Sequence, residues 1–213
     1  MKSSVKAPGY IAVEGPIGVG KTSLVKRLAD SLGYETLLEE PKANPFLDEF
    51  YQSPRSLAFQ TQVYFLLQRA KQLRDLVDAP NHLVADFLLD KDPLFASITL
   101  SEPELALYQD IYQQLQVRAP APDLVIYLQA PPEILLERIH KRGIRSETYI
   151  TKSYLESLNT AYSELFHYYS KAPVLIVNAT DIDWVNNQND YEQLLKYILN
   201  TGKGRQYFNP QKL

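Results

Sequence analysis

The sequence predicts an α/β fold in which a five-stranded, mainly parallel sheet is flanked by helices on both faces. Short apolar runs of strand length alternate with longer segments whose apolar residues recur at helical spacing. This alternation is typical of parallel sheets, in which helices connect successive strands. The chain has 213 residues, of which 45% are hydrophobic, and this is enough for one domain with a full core.

The strands are predicted from apolar runs at Tyr10–Glu14, Glu35–Leu38, His82–Asp86, Leu124–Gln129 and Val174–Asn178. Helices are predicted at Lys21–Leu32, Ser56–Val77, Ser101–Arg118, Glu133–Arg142, Lys152–Tyr169 and Tyr191–Leu199. The longest of these has one apolar stripe, formed by Phe59, Val63, Leu66, Leu67, Ala70, Leu73 and Val77. Ser101 and Glu104 match a capping box at the start of the third.

Composition excludes several classes of protein. A net charge of −3 and a pI near 5.7 argue against a nucleic-acid partner. There is no cysteine, hence no disulfide or zinc–thiolate site, and the three histidines are scattered. The N-terminus has no hydrophobic segment of the signal-peptide type, so we expect a cytoplasmic protein without membrane contact. We treat residues 1–213 as a single domain with a mobile tail at about 201–213.

The most specific feature is a phosphate-binding loop, or P-loop, at residues 15–22. An apolar strand runs into the pattern Gly-x-x-x-x-Gly-Lys-Thr, and a helix follows. Glycines let backbone N–H groups turn inward around a phosphate chain, while Lys21 can reach the β- and γ-phosphates and Thr22 can ligate Mg²⁺. We therefore predict a nucleoside triphosphate held by Gly15, Pro16, Ile17, Gly18, Val19, Gly20, Lys21, Thr22 and Ser23.

Two carboxylates, Glu39 and Glu40, follow the predicted second strand. Ligands of such sheets bind beyond the carboxyl ends of the strands, so either group could take a proton from an acceptor hydroxyl. We chose Glu40, which precedes Pro41, as the candidate base. The alternative is that the Glu-Glu-Pro sequence is an ordinary solvated turn.

A group of cations lies around the end of the predicted helix Glu133–Arg142 and the glycine that follows it. Arg138 and Arg142 share one helix face, and Lys141 and Arg145 lie beside them. Such a cluster could form a lid at about 142–150 that neutralises a transferring phosphoryl group. Alternatively, these cations pair with nearby glutamates on a solvated helix surface.

These motifs together resemble the deoxyribonucleoside kinases. The resemblance lies in segments 14–23 (EGPIGVGKTS), 39–47 (EEPKANPFL), 58–62 (AFQTQ) and 138–155, which carries the arginine pair. Segment 84–96 (VADFLLDKDPLFA) is most similar to the bacterial deoxyadenosine and deoxyguanosine kinase branch. The resemblance implies a P-loop kinase fold, with ATP and Mg²⁺ as cofactors.

The resemblance also implies a role for individual residues. Glu40 would be the base toward the nucleoside 5′-hydroxyl, and Asp86 would lie near Mg²⁺ with Thr22. Lys21, Arg138 and Arg142 would act on the phosphates. The acceptor would be bound by Glu40, by Gln60, Phe59 and Asp92 at its base, and by Tyr51 and Glu147 at its sugar. Taken singly, Gln60 and Tyr51 are better explained as ordinary surface and core-edge residues, and it is their joint spacing with Glu40 and Glu147 that favours a role in binding.

One position departs from the family pattern. An arginine commonly follows the acidic residue after the third strand, but here Asp86 is followed by Phe87. Lys91, Arg145 or a lid arginine could supply that charge. If none does, the chain could be a silent kinase-fold subunit.

The sequence thus favours a kinase that phosphorylates a 2′-deoxynucleoside, by resemblance a purine one, in nucleotide salvage. Deoxycytidine or broad acceptor specificity remains open, and a thymidylate kinase is a weaker alternative because it needs a further phosphate site. The family resemblance further implies a homodimer, for which the two long helices Ser56–Val77 and Ser101–Arg118 have enough apolar residues.

Overall fold

The computed structural model describes residues 7–76 and 82–210. Within these residues a six-stranded, entirely parallel sheet has the order β2-β3-β1-β4-β5-β6. Its strands are β1 Tyr10–Glu14, β2 Glu35–Leu37, β3 Leu83–Ala85, β4 Leu124–Gln129, β5 Val174–Asn178 and β6 Arg205–Phe208. The predicted α/β class and parallel sheet are confirmed, whereas the predicted number of strands was wrong by one.

The additional strand, β6, lies in the tail for which we expected mobility. Residues 205–208 pair in parallel with β5, from Val174 opposite Arg205 to Val177 opposite Phe208. Local sequence gave no reason to expect a strand here, because the hydrogen bonds come from the edge of β5 rather than from the tail itself. Residues 211–213 of the predicted tail lie outside the described part of the chain.

Helices cover both faces of the sheet, as predicted. Their bounds are α1 Lys21–Leu32, α2 Leu47–Gln52, α3 Pro54–Arg74, α4 Lys91–Thr99, α5 Glu102–Leu115, α6 Pro132–Arg142, α7 Lys152–Tyr168 and α8 Gln188–Leu199, with 3₁₀ helices at Pro41–Ala43 and Arg145–Tyr149. Helices α2 and α4 were not predicted from the sequence. Among residues 7–76 and 82–210, no helix is both long and apolar enough to cross a membrane.

Two apolar clusters hold these layers together. The larger cluster joins strands β1, β4 and β5 to helices α1, α6, α7 and α8. The smaller one packs α3 against α4 and α5, and its buried members are Leu66, Leu73, Phe87, Leu89, Ala96 and Tyr108. Beside this cluster, residues of α3 and residues that follow strands β2 and β3 line one cavity.

Helix α3 differs from its prediction in the exposure of one residue of its apolar stripe. Leu66, Ala70 and Leu73 are buried as expected, but Leu67 is 49% exposed. Leu67 directly follows Leu66 and therefore lies about 100° farther around the helix, away from the buried face. Val77, the last predicted member of the stripe, lies outside the described residues.

The capping box predicted at α5 is confirmed. Both the backbone N–H and the hydroxyl of Ser101 donate to Glu104, at 2.9 and 2.7 Å. The helix ends at Leu115 rather than near Arg118, because Gln116 adopts a left-handed conformation with φ of 44°.

Candidate active site

The P-loop connects β1 to α1 and forms one wall of a cavity of about 240 Å³. Gly15, Gly18 and Gly20 all have positive φ, at 144°, 83° and 103°. A Cβ at Gly15 would lie 2.5 Å from the carbonyl oxygen of Leu128 on β4. Glycine is therefore required for the loop to turn this close to the sheet.

The P-loop residues divide into those that face the cavity and those that support it. Lining residues from this loop and the start of α1 are Ile17, Gly18, Gly20, Lys21, Thr22 and Ser23. Gly15, Pro16 and Val19, which we also predicted to bind the triphosphate, are buried behind them. These three shape the loop rather than contribute to its open surface.

The Lys21 ammonium lies over the loop, where it donates to the carbonyl oxygens of Gly15 and Pro16 at 2.7 and 3.2 Å. Burial, together with the nearby Lys91 ammonium, lowers the pKa of Lys21 to about 8. A phosphate group in the loop would offer this cation a partner of opposite charge.

Asp86, at the end of β3, joins the P-loop to the segment after β2. Its Oδ2 accepts a hydrogen bond from the Thr22 hydroxyl at 2.7 Å, and its Oδ1 accepts one from the Glu39 backbone N–H at 2.8 Å. Hydroxyl and carboxylate oxygens are the ligands that Mg²⁺ prefers, and it usually takes its remaining ligands from phosphates and water. The Thr22–Asp86 pair fits that role, although the described residues contain no group of three or more acidic or histidine side chains that could hold a metal alone.

Glu39, not Glu40, lines the cavity. Its carboxylate pairs with Lys91 at 2.9 Å and accepts a hydrogen bond from Arg69 Nε at 2.7 Å, while Glu40 is exposed and offers only its backbone carbonyl to Gln68 at 3.4 Å. β2 ends at Leu37, and the hydrogen bond that the Glu39 backbone N–H donates to Asp86 fixes the chain with the Glu39 side chain toward the cavity. The structure thus places Glu39, rather than the predicted Glu40, in the cavity wall.

The charges around Glu39 decide its protonation state. Burial acts to raise its pKa, but the Arg69 and Lys91 cations outweigh it and lower the pKa of Glu39 to about 2. Glu39 is consequently an ionised carboxylate at neutral pH, able to accept a hydrogen bond from a hydroxyl.

The end of the cavity beside α3 carries a buried polar group. Gln62 donates to Asp92 Oδ1 at 3.0 Å, and Arg69 Nη1 donates to the same oxygen at 2.6 Å. Gln62 and Arg69 line the cavity, and Asp92 lies behind them with no exposed surface. Burial raises the pKa of Asp92 despite the adjacent Arg69.

Two polar atoms in this region lack a hydrogen-bond partner among the described residues: Asp92 Oδ2 and the Thr61 hydroxyl, which lines the cavity. Buried polar atoms are rarely left without partners, so this end of the cavity suits a polar ligand.

Gln60 and Phe59, the predicted base-binding residues, do not line the cavity. Gln60 is exposed, and Phe59 packs against the smaller apolar cluster. Gln62 and Phe65 occupy the cavity wall instead. Gln62 and Arg69 are seven residues apart and therefore share a helix face, a spacing that could have identified both from the sequence.

On the opposite wall, Tyr51 of α2 and Glu147 of the 3₁₀ helix Arg145–Tyr149 both line the cavity, as predicted for the sugar-binding pair. Arg142 holds Glu147 by a bidentate contact, with Nε and Nη2 at 3.0 and 2.6 Å from Oε2. Burial, then the neighbouring Tyr154 and Glu147, raises the pKa of Tyr51 well above its usual value. Tyr51 is thus a neutral hydrogen-bonding group.

Arg138 is not in the cavity wall. Its guanidinium donates to the carbonyl oxygens of Ala179 and Thr180, at 2.7 and 3.3 Å, and to that of Val19 in the P-loop at 3.4 Å. It therefore ties the P-loop to the segment after β5. Arg142, its predicted partner in the lid, does line the cavity.

Comparison with known proteins identifies the family. A family model described as deoxynucleoside kinase matches residues 11–201. The chain belongs to the deoxynucleoside kinase family. It is 36% identical to a deoxyguanosine kinase of Bacillus subtilis over 197 residues, which cover 89% of this chain and 95% of that protein. It is also 33% identical to a deoxyadenosine/deoxycytidine kinase of the same organism, over 88% of this chain and 90% of that one.

Solved structures agree with this assignment. A deoxyadenosine kinase from M. mycoides with bound dATP superposes with a TM-score of 0.78 at 28% identity, over 89% of this chain and 98% of that one. The same enzyme with the products dCMP and a flexible dCDP gives a TM-score of 0.78 at 29% identity, with the same coverage. The fold is thus the predicted P-loop kinase fold, and the protein is a kinase of small-molecule deoxynucleosides.

Proposed function

We propose that this kinase transfers the γ-phosphoryl group of ATP to the 5′-hydroxyl of a 2′-deoxynucleoside, with a preference for purines and a role in nucleotide salvage. The observation that carries the proposal is the position of Glu39, an ionised carboxylate that lines the same cavity as the P-loop and lies beside Asp86. A phosphate donor in the loop and a hydroxyl at Glu39 would lie within one enclosed space.

In this reaction Glu39 accepts a hydrogen bond from the 5′-hydroxyl and takes its proton as the oxygen bonds to phosphorus. The bond from the γ-phosphorus to the bridging oxygen breaks, and the electron pair leaves with ADP. Lys21 and the P-loop N–H groups stabilise the charge on the phosphates. Mg²⁺, held by Thr22 and Asp86, would neutralise phosphate charge when bound.

Different walls of the cavity would bind the sugar and the base of the acceptor. Tyr51 and Glu147 would bind the 3′-hydroxyl, and two hydrogen bonds from Arg142 hold the Glu147 side chain in place. Gln62 and Arg69, backed by Asp92, would bind the base edge. Since an amide and a guanidinium can match several bases, the purine preference rests on the relatives named deoxyguanosine and deoxyadenosine kinase. Deoxycytidine is a second acceptor to test, because one relative is named for it.

The decisive experiment measures initial rates with ATP and Mg²⁺ for the four 2′-deoxynucleosides and for adenosine. We expect the 5′-monophosphate of deoxyguanosine or deoxyadenosine to form fastest, and adenosine to react poorly. Lys21→Ala should abolish turnover, whereas Lys26→Ala, an exposed lysine of the same helix, should leave it unchanged. If no acceptor yields a 5′-monophosphate, or if chelation of Mg²⁺ has no effect, the proposal is wrong.

We also propose that the protein is a cytoplasmic homodimer that pairs through α3 and α5. Each of these helices carries a large exposed apolar side chain, Leu67 at 49% and Leu107 at 51%. The two helices pack against each other, and exposed apolar side chains on such a pair can contribute to an interface between subunits. Sedimentation velocity should give about twice the mass of one chain, and Leu67→Lys with Leu107→Lys should lower it; a monomeric wild type would contradict this assembly.

A further inference from the structure

Lys91 is a buried cation that the mechanism above does not use. It begins α4, is 2% exposed, and lines the cavity. Its ammonium lies 2.9 Å from Glu39 Oε2 and 3.7 Å from Glu14 Oε1. A lysine is rarely buried to this degree unless opposite charges compensate for its lost hydration, and here two carboxylates do so.

Lys91 belongs to a row of alternating charges. Glu14, which directly precedes the P-loop, contacts Lys91; Lys91 contacts Glu39; Glu39 contacts Arg69; and Arg69 contacts Asp92. The row runs from the phosphate end of the cavity to its opposite polar end. Glu39 lies in the middle with a cation on each side, so two contacts fix the direction of its carboxylate.

Two of the other cations that line the cavity do not contact Glu39: Lys21 lies over the P-loop, and Arg142 is held by Glu147. Arg69 contacts Glu39 from the side of Asp92, with which it also pairs. Arg145 is exposed, and it is not among the described residues that line the cavity. Lys91 is therefore the cation that lies between Glu39 and Glu14, at the end of the row nearest the P-loop.

Phe87 supports this placement. It has no exposed surface and belongs to the smaller apolar cluster, so this position contributes no charge. Its ring centre lies 5.9 Å from the Lys91 ammonium, near the limit of a cation–π contact. The ring thus covers the lysine on one side and leaves its ammonium directed at the two carboxylates.

We propose that Lys91 is a positioning residue that aims the Glu39 carboxylate at the acceptor hydroxyl and offsets the negative charge around it. The proposal rests on the proposed function, because it assigns Glu39 the role of base. It differs from a purely structural role, in which Lys91 would only neutralise the buried Glu14.

The test compares kcat and KM for three single variants. Lys91→Met should lower kcat at least tenfold and leave the KM for ATP within about twofold, because the P-loop is untouched. Lys91→Arg should restore most of kcat, because it keeps the charge. Lys171→Met removes an exposed lysine that pairs with Asp90, and it should leave both constants unchanged.

A double variant distinguishes a role of Lys91 in positioning Glu39 from a role in neutralising Glu14. It also provides a test if Lys91→Met folds poorly. Lys91→Met with Glu14→Gln removes the buried charge that a structural lysine would neutralise. A folded double variant with kcat still reduced supports the proposal, whereas a return to the wild-type kcat overturns it. An unaffected kcat in Lys91→Met also overturns it. Absence of kinase activity in the wild type would instead refute the proposed function.

Discussion

The two adjacent glutamates after β2 provide the sharpest test of the site. Glu39 lies in the cavity between two cations, whereas Glu40 is exposed at the start of the 3₁₀ helix Pro41–Ala43. We predict that Glu39→Gln removes nearly all kinase activity and that Glu40→Gln has little effect. Glutamine keeps the size of either side chain, so each substitution removes only the charge and proton affinity.

The structure allows the size of both effects to be worked out. Loss of a general base lowers kcat by about 10²–10⁴-fold. Removing one partner of a buried ion pair costs about 3–5 kcal/mol, and we expect the lower limit because Lys91 keeps Glu14 and Arg69 keeps Asp92. A loss of about 3 kcal/mol lowers the melting temperature of a chain of this size by about 6–12 °C. Glu40→Gln should change it by less than about 2 °C, because surface substitutions usually alter stability by no more than about 0.5 kcal/mol.

Both variants can be examined with the same two measurements. Kinase rates at saturating ATP and acceptor give kcat, and thermal unfolding gives the melting temperature. Full activity of Glu39→Gln would refute its role as base. Loss of activity in Glu40→Gln, with Glu39→Gln active, would show that the carboxylates exchange places when substrates bind.

Three further predictions concern the P-loop. The affinity for ATP without Mg²⁺ should fall as the pH rises through about 8. In the free protein Lys21 loses its proton near this pH, whereas a bound phosphate favours the charged form of the lysine. A calorimetric titration that shows no change in affinity from pH 7 to 10 would contradict this. Gly15→Ala should abolish ATP binding, measured in the same way, because its Cβ would lie 2.5 Å from the Leu128 carbonyl oxygen, and a variant that binds normally would refute the argument. Trp184, the only tryptophan, lies against the P-loop: a Cβ on Gly20 would come within 2.9 Å of its ring. Binding of ATP in the loop should therefore change the intrinsic fluorescence of the protein. An emission spectrum that stays constant at saturating ATP would count against this contact.

Features set by local sequence were predicted well. The P-loop, β1, β4 and β5 were located correctly, since a buried parallel strand is a continuous apolar run and the loop has a fixed pattern of residue types. The capping box of α5 was also identified, because its two members are only three residues apart.

Features set by tertiary contacts were predicted less well. Glu39 and Glu40 differ only in how the chain leaves β2, and a hydrogen bond that the Glu39 backbone N–H donates to the distant Asp86 decides this. Gln60 and Gln62 lie on different faces of one helix, and the choice depends on which face meets the cavity. The sixth strand depends on the open edge of β5, which no pattern within the tail itself reveals.

The order of the strands has a consequence for how the protein behaves in concentrated solution. The outermost strands, β2 and β6, have only three and four residues, and each begins with an exposed charged residue, Glu35 or Arg205. Short, charged outer strands are poor templates for a strand from another molecule. We therefore expect intermolecular sheet formation to be disfavoured, so that self-association of this kinase is governed by its exposed apolar side chains.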